Sequence, residues 1–506
     1  MKNQLFNVIQ IKKPRTNVFD LSHEKKLSFN MGELVPIFME DVVPGDKFRV
    51  NTEMLIRMAP MIAPVMHRVN VYTHFFFVPY RLLWSNWEKF ITGGETGNET
   101  PTFPTVLINN DVATSFNAGR LADYLGIPAT DGKTISNSLQ ISALPFRAYQ
   151  LIYNEYYRDQ NLQTAIAITK NDTVGTPELA VLLTLRNRAW EKDYFTSALP
   201  WTQRGGEVTL PNAPDYKDTS DIYRSNGTDP ASGNLQTSGS YPHKMVDSSG
   251  SATLRVENLD GIEISINDLR SATRLQRWLE KNARGGSRYV EQILSHFGVK
   301  SSDARLQRPE YLGGGKSPIV ISEVLNTSAT ATEPQGNMAG HGIGVGNTNS
   351  FQKYFEEHGL ILGIMSVLPR TAYQQGIEKL WTKFDKFDYY FPEFANLGEQ
   401  EVKVKELYTC YDGTNYNETT FGYQPRYSEY KFKNSSYHGD FRNTLAYWHL
   451  ARIFASKPSL NSSFVTSDPS HRIFAVTDPT KDKLYCQLYN NVRAIRPMPV
   501  FGTPTL

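Results

Sequence analysis

The clearest chance for chemistry in this sequence is a row of cations. Arg270, Arg274, Arg277, Lys281 and Arg284 recur at i, i+4, i+7, i+11 and i+14, which places them on one face of a helix. Such a stripe can bind phosphates, each cation displacing a condensed counterion. It can also pair with acids of a neighbouring chain, or stay solvated, the commonest outcome for a run of charge. A second basic group, Lys12, Lys13 and Arg15 around Pro14, followed by Lys25 and Lys26, marks residues 1–29 as an extended basic arm. That arm is either a nucleic-acid contact or a solvated terminus.

Other arrangements fail on spacing. Gly313-Gly-Gly-Lys-Ser317 looks like a phosphate loop, but the motif needs glycine where Glu310 stands, and Pro318 follows it. The run Gly340-His-Gly-Ile-Gly-Val-Gly346 lacks the G-x-G-x-x-G spacing and reads as flexible loop within residues 326–350. His67 and His74 fall on opposite faces of one strand, so they cannot share a metal. No H-x-x-x-H, C-x-x-C or G-x-S-x-G occurs in a supporting context. No catalytic residue, metal or cofactor is therefore expected. Only a carboxylate pair assembled by the fold itself stays open.

The elements that must carry these residues read as mainly β. Near Arg68–Val78, Val69, Val71, Thr73, Phe75 and Phe77 alternate with Arg68, Asn70, Tyr72 and His74, the pattern of a strand with one side buried. Before it, Met58-Ala-Pro-Met-Ile-Ala-Pro-Val-Met66 is barred by its prolines from helix interiors and central ladders. It reads as an exposed apolar segment that needs a partner surface, making Pro60, Met61 and Pro64 inter-subunit candidates. His358–Leu368 is apolar on both faces and reads as a buried strand, and Val402–Cys410 is strand-like, with a hairpin signal at Asp412-Gly413.

Helical pieces are expected near Ala118–Leu125 and over Ser142–Asp159. In the latter, Pro145 suits the first turn, and Phe146, Tyr149, Ile152, Tyr153 and Tyr156 recur at helical spacing. A tyrosine-heavy face is more often core than binding site, but Tyr153 and Tyr156, with Trp201, are also candidates for contact between subunits. The cationic helix is expected over about Ile266–Ala283, with Ala272, Leu275 and Leu279 on its apolar face. From about 205 to 260 Ser, Gly, Asn, Asp, Thr and Pro dominate, around an Asn226-Gly227 turn signal. Too polar to form its own core, this stretch reads as a surface insertion.

Composition bounds the role. A chain of 506 residues can bury a large core, and 27 Tyr and 27 Phe suit either a β-rich fold or extensive interfaces. Two cysteines, Cys410 and Cys486, argue against a disulfide framework or a Cys-based metal site. No apolar run is long enough to span a membrane, and the first residues lack a signal-peptide core, so a protein made in a reducing cytoplasm is expected.

Several blocks carry a specific likeness: Phe19-Asp-Leu-Ser-His23, Asn30-Met-Gly-Glu-Leu34, Val43-Pro-Gly-Asp-Lys-Phe48, Ala63-Pro-Val-Met-His-Arg-Val69, Phe76-Phe-Val-Pro79, Asp193-Tyr-Phe-Thr-Ser-Ala-Leu-Pro-Trp201 and Asp303-Ala-Arg-Leu-Gln-Arg-Pro309. With these the chain resembles the major capsid proteins of microviruses, small icosahedral single-stranded DNA phages, in particular the gokushovirus-like branch. The likeness runs from about residue 15 to the end, broken only by loops.

The resemblance implies an eight-stranded antiparallel jelly roll, here residues 30–506 in a single domain, with long inserted loops containing short helices. It implies self-assembly into a T = 1 shell of about sixty copies, formed in the host bacterial cytoplasm and ending in the virion. Implied partners are an internal scaffolding protein, a DNA pilot protein, a small basic DNA-binding protein, the packaged single-stranded DNA and a host-cell surface receptor. The 205–260 insertion takes the place of a surface protrusion, making Asn226, Gly227 and Tyr241 candidates for receptor attachment. Net charge fits: at +2 each, about sixty copies supply on the order of 10² positive charges, far fewer than a genome's phosphates. The rival is a β-sandwich carbohydrate-binding protein or glycosidase, which would stay a monomer or small oligomer.

Overall fold

The strands with unbroken apolar runs are buried on both faces, and those that alternate are buried on one. The computed structural model describes residues 15–206, 208, 236–238, 244–246, 266–327, 335–411 and 416–501. Nine strands make the main sheet: β1 (Asn17–Asp20), β2 (His23–Phe29), β3 (Val35–Val42), β4 (Lys47–Met58), β5 (Val69–Pro79), β6 (Glu310–Leu325), β7 (Met338–Tyr354), β8 (Gly359–Pro369) and β9 (Leu484–Arg496). The pairing runs β9-β4-β7-β6-β5-β8-β3, with β1 and β2 in succession along the free edge of β9. Every pair is antiparallel.

The sheet curls because β6 changes partners midway. Its residues Glu310–Ile319 pair with β5, and Val320–Leu325 pair with β7. Two four-stranded walls result, β2-β9-β4-β7 and β6-β5-β8-β3, in the connectivity of an eight-stranded jelly roll, with β1 as a short addition. Between the walls lies the main core, to which Phe29, Phe38, Phe48, Ile56, Phe75, Ile361 and Leu488 all contribute.

One wall is buried on its outer side as well. Phe76 and Val78 of β5, with Leu360, Leu362 and Ile364 of β8, pack against Trp84, Phe116, Leu121, Tyr149 and Ile152 from the segment between β5 and β6. This corrects the one-sided reading of Arg68–Val78. Asn70 and Tyr72 are buried too, Tyr72 packing against Trp190 of the inserted segment. Its helix α1 (Leu144–Ile152) has Pro145 in the first turn and widens into a π turn over Tyr153–Tyr157. A buried ion pair anchors it, Arg147 Nε to Glu178 Oε1 at 3.2 Å.

Three further expectations change. The glycine run is not loop but the middle of β7. Gly340, Gly342, Gly344 and Gly346 all face inward, where a Cβ would lie 2.3 Å from the Ala63 carbonyl oxygen, 2.7 Å from Met58 Sδ, 3.1 Å from Ile319 Cγ1 and 2.4 Å from Met54 Cε. Glycine is there for close approach, not for flexibility. The strand expected over Val402–Cys410 stops at Lys403, and Val404–Leu407 forms a helical turn, with Glu406 Oε1 accepting from the Lys403 amide at 2.9 Å. Of the basic arm, Asn17–Asp20 and His23–Phe29 are strands laid along β9; the Asp412-Gly413 hairpin signal lies outside the described residues.

Residues 201–287 with 295–297 form a second compact unit. Its main described element is α2, Ile266–Gly285. Here Trp278 lies beside His296, ring centroids 6.2 Å apart, and His296 Nε2 lies 2.6 Å from Asn282 Oδ1. Among the described residues, no helix is long and apolar enough to cross a membrane.

Candidate functional site

A chain that associates with copies of itself must hold apolar surface in water until a partner covers it. Among the described residues, the densest such surface lies between β8 and β9. Three short turns, Lys379–Thr382, Lys386–Asp388 and Pro392–Phe394, succeed one another there. Trp381 is 72% exposed and Phe384 86%, and Leu380, Tyr390, Phe391, Tyr430 and Phe432 are exposed as well.

These side chains are displayed on a fixed backbone. Asp388 Oδ2 accepts from the amides of Phe384 and Asp385, both at 3.0 Å. Phe387 packs on Phe394 at 4.7 Å and Tyr390 stands edge-on to Tyr427 at 5.3 Å. The Arg426 guanidinium and the Tyr427 hydroxyl both donate to the Phe387 carbonyl, at 3.0 and 3.1 Å. Aromatics held this way lose little freedom when covered, which favours association.

Beneath them opens a cleft of about 260 Å³ whose lining includes Glu378, Lys379, Lys383, Glu406, Glu429 and Lys433. Burial pushes the Glu406 carboxyl above its ordinary range. Its oxygens accept from the Tyr194 hydroxyl at 2.8 Å and lie 4.0 Å from Lys379 Nζ. Glu429 pairs with Lys383 at 3.0 Å, and Glu378 with Lys433 at 2.5 Å. Each carboxylate already has a cation beside it, an arrangement that fixes a wall better than it moves protons. Among the described residues, no group of three or more His, Cys, Asp or Glu is placed to hold a metal ion. His67 lies 2.7 Å from both the Tyr437 hydroxyl and the Arg370 carbonyl, and His74 lies 2.9 Å from the Tyr157 hydroxyl.

The residues singled out from sequence are dispersed. Arg270, Arg274, Arg277, Lys281 and Arg284 are all exposed along α2, but so are Leu275 and Trp278, so the helix keeps apolar surface in water as well as charge. Arg15 is exposed just before β1, while Lys12, Lys13, Asn226, Gly227 and Tyr241 lie outside the described residues. Pro60 is exposed and Pro64 partly so, with Ile62 and Met66 exposed beside them. Met61 instead turns into the main core, its amide and carbonyl both bonded to Gly340. Its surface is therefore spent within its own chain. Tyr153 is buried in the cluster over β5 and β8, and Tyr156 donates its hydroxyl to the Pro309 carbonyl at 2.6 Å. Trp201 is partly buried. The aromatic surface at Leu380–Phe391 was missed because it has neither a period of two nor of 3.6. Its signal was density: six aromatics in eleven residues from 381 to 391.

Residues 8–506 match the family of phage capsid proteins, the F protein family. The capsid protein VP1 of Chlamydia phage 1 is 37% identical over 591 residues, covering 100% of this chain and 98% of the relative. That of Bdellovibrio phage phiMH2K is 38% identical over 516 residues, covering 96% and 94%. That of Spiroplasma virus 4 is 33% identical over 541 residues, covering 97% and 95%.

Proposed function

Because the chain belongs to the F protein family of phage capsid proteins, and is thereby a structural major capsid protein of small single-stranded DNA phages, we propose that about sixty copies close a T = 1 icosahedral shell around a circular genome. The match over almost the whole length carries this reading. The jelly roll supplies a rigid block, and the turns at 379–394 supply the adhesive. Covering Trp381, Phe384 and their aromatic neighbours against a second copy removes apolar surface from water without ordering a loop first. Pro60 and Pro64, with Ile62 and Met66, add a smaller stiff contact. Trp201 and the partly buried Tyr156 stay minor candidates.

The mechanism is assembly rather than turnover, and the chain is not an enzyme. A net charge of +2 leaves genome phosphates to be neutralised by a small basic DNA-binding protein or counterions. A scaffolding protein and a pilot protein complete the set of helpers, assembly takes place in the host cytoplasm, and the product is the virion. The 205–260 insertion, through Asn226, Gly227 and Tyr241, is the attachment surface for a host receptor. Lys12, Lys13 and Arg15, and the α2 stripe of Arg270, Arg274, Arg277, Lys281 and Arg284, stand as candidate contacts for DNA.

Size-exclusion chromatography and negative-stain microscopy of the chain expressed with its helpers test the reading. Uniform closed particles are expected. Trp381→Ser with Phe384→Ser should leave a folded subunit that no longer assembles. A wild-type chain that stays monomeric and cleaves or binds a saccharide would establish the β-sandwich rival instead. Deleting residues 210–255 should leave particles that fail to adsorb to host cells.

A further inference from the structure

The outer side of the β2-β9-β4-β7 wall is open, and one end of it is rich in cations and amides. The register sets Arg493 of β9 directly opposite Arg49 of β4, with Gln352 of β7 on the far side of Arg49. In the row before stand Lys47 and Tyr354, and in the row after Asn491, Asn51 and Ser350. Lys47, Arg49, Arg493 and Tyr354 are exposed, while Phe48 of β4 and Val492 and Ala494 of β9, which alternate with them, are buried in the core. A concavity of about 580 Å³ opens here, whose lining includes Arg49, Asn51, Gln352 and Arg493 as well as the apolar Val50 and Phe351.

Two guanidiniums opposed across a pair of strands repel, and the wall does little to relieve them. Among the described residues, no ion pair ties Arg49, Arg493 or Lys47 to an acid. Asp20, opposite Arg493 on β1, feels its charge but bonds chiefly to Ser22. Glu24 and Glu53 lie further along, flanking Tyr489, and bound the patch. An anion between the two arginines would turn repulsion into two charge-assisted bonds. Around them, amide side chains offer donors and acceptors, and Tyr354 offers a ring on which a base can stack. Cations tracking a backbone, with amides and an exposed aromatic, fit an unpaired nucleic-acid strand. A neighbouring copy fits poorly, because the buried centre of a protein interface is depleted in charge.

We infer that this patch, centred on Arg49 and Arg493, is a binding site for single-stranded DNA and that the bare wall faces the shell's interior. The inference rests on the shell reading and adds to it a specific inner surface, distinct from α2.

The test measures binding of a mixed-sequence single-stranded oligodeoxynucleotide to the unassembled full-length chain across a salt series. Arg49→Gln with Arg493→Gln should weaken binding roughly tenfold at moderate salt and flatten the log–log salt slope by about 1.4. Tyr354→Leu should weaken binding with the slope unchanged. Lys133→Gln with Lys170→Gln, an equal loss of exposed charge elsewhere, should do neither. Particles formed with the arginine variant should retain less DNA. An unchanged affinity and slope would overturn the site, as would a variant that binds DNA normally yet forms no particles, which would make the patch a contact between copies. Because the binding assay needs no shell, failure of wild type to assemble would count against the shell reading while the slope still decides the site.

Discussion

β8 reads Gly-Leu-Ile-Leu-Gly-Ile-Met-Ser-Val-Leu-Pro and every position is buried, whereas β9 reads Leu-Tyr-Cys-Gln-Leu-Tyr-Asn-Asn-Val-Arg and every second position is exposed. Both strands belong to one jelly roll, in opposite walls. The wall containing β8 is sealed outside by the segment between β5 and β6, so both its faces serve stability. The wall containing β9 has core on one side and water on the other, so its outer residues are free to answer to something other than folding. A sealed wall has its partners in its own chain, and a bare wall has them elsewhere.

The contrast predicts unequal costs for similar changes. Leu362→Ala, in the sealed wall, should destabilise the unassembled subunit by about 2–5 kcal/mol in chemical denaturation. Tyr489→Ala on the bare wall should stay within about 0.5 kcal/mol. Equal losses would break the distinction between the walls.

Acid should act next most strongly, through two histidines, one of them in the sealed wall. Burial first, then the charge of Arg188, depresses His74 to about 4 from 6.5. His67 is likewise held at about 4, chiefly by burial. Each ring is kept neutral in the folded chain but takes up a proton once unfolded. Their contribution is thus complete above pH 6.5 and lost as pH falls towards 4, up to roughly 3 kcal/mol each. His74→Gln should flatten that limb of stability against pH. Glu33, pushed up to about 7 mainly by burial, acts with the opposite sign. It is protonated in the fold when the unfolded chain has already ionised, so its contribution fades as pH rises from 4.5 through 7.

Gly342→Val should cost about 1–3 kcal/mol by overpacking against Met58, read from the shift in denaturation midpoint. Arg49→Gln should have the smallest effect, within about 0.5 kcal/mol and in the stabilising direction, since it removes a like-charged neighbour from Arg493. A large loss there would mean that the bare wall also serves folding.

Much of this was legible beforehand. Strand β5 and helix α1 could be read because apolar residues recur at two or near 3.6, and β8 because it is apolar throughout between glycine and proline. β7 could not, because its inward residues are glycines that report a neighbour's size rather than their own burial. The double burial of β5 was hidden, since Tyr72 and His74 look solvent-facing until Trp190 and Tyr157 of the inserted segment pack on them. Met61 was misplaced for the opposite reason: an apolar, proline-bounded run resembles a free arm, yet its alternate residues fall into the core. The arginines of the bare wall were invisible as a patch, because Arg49 and Arg493 meet only through the β4–β9 register.

A residue-level reconstruction of particles grown from this chain, its helpers and its genome tests the account most directly. A closed shell is expected in which the Arg49–Arg493 wall lines the interior and Trp381 and Phe384 are buried between copies. A shell with that wall outermost and those aromatics still in solvent, or a chain that never closes into a particle, would contradict it.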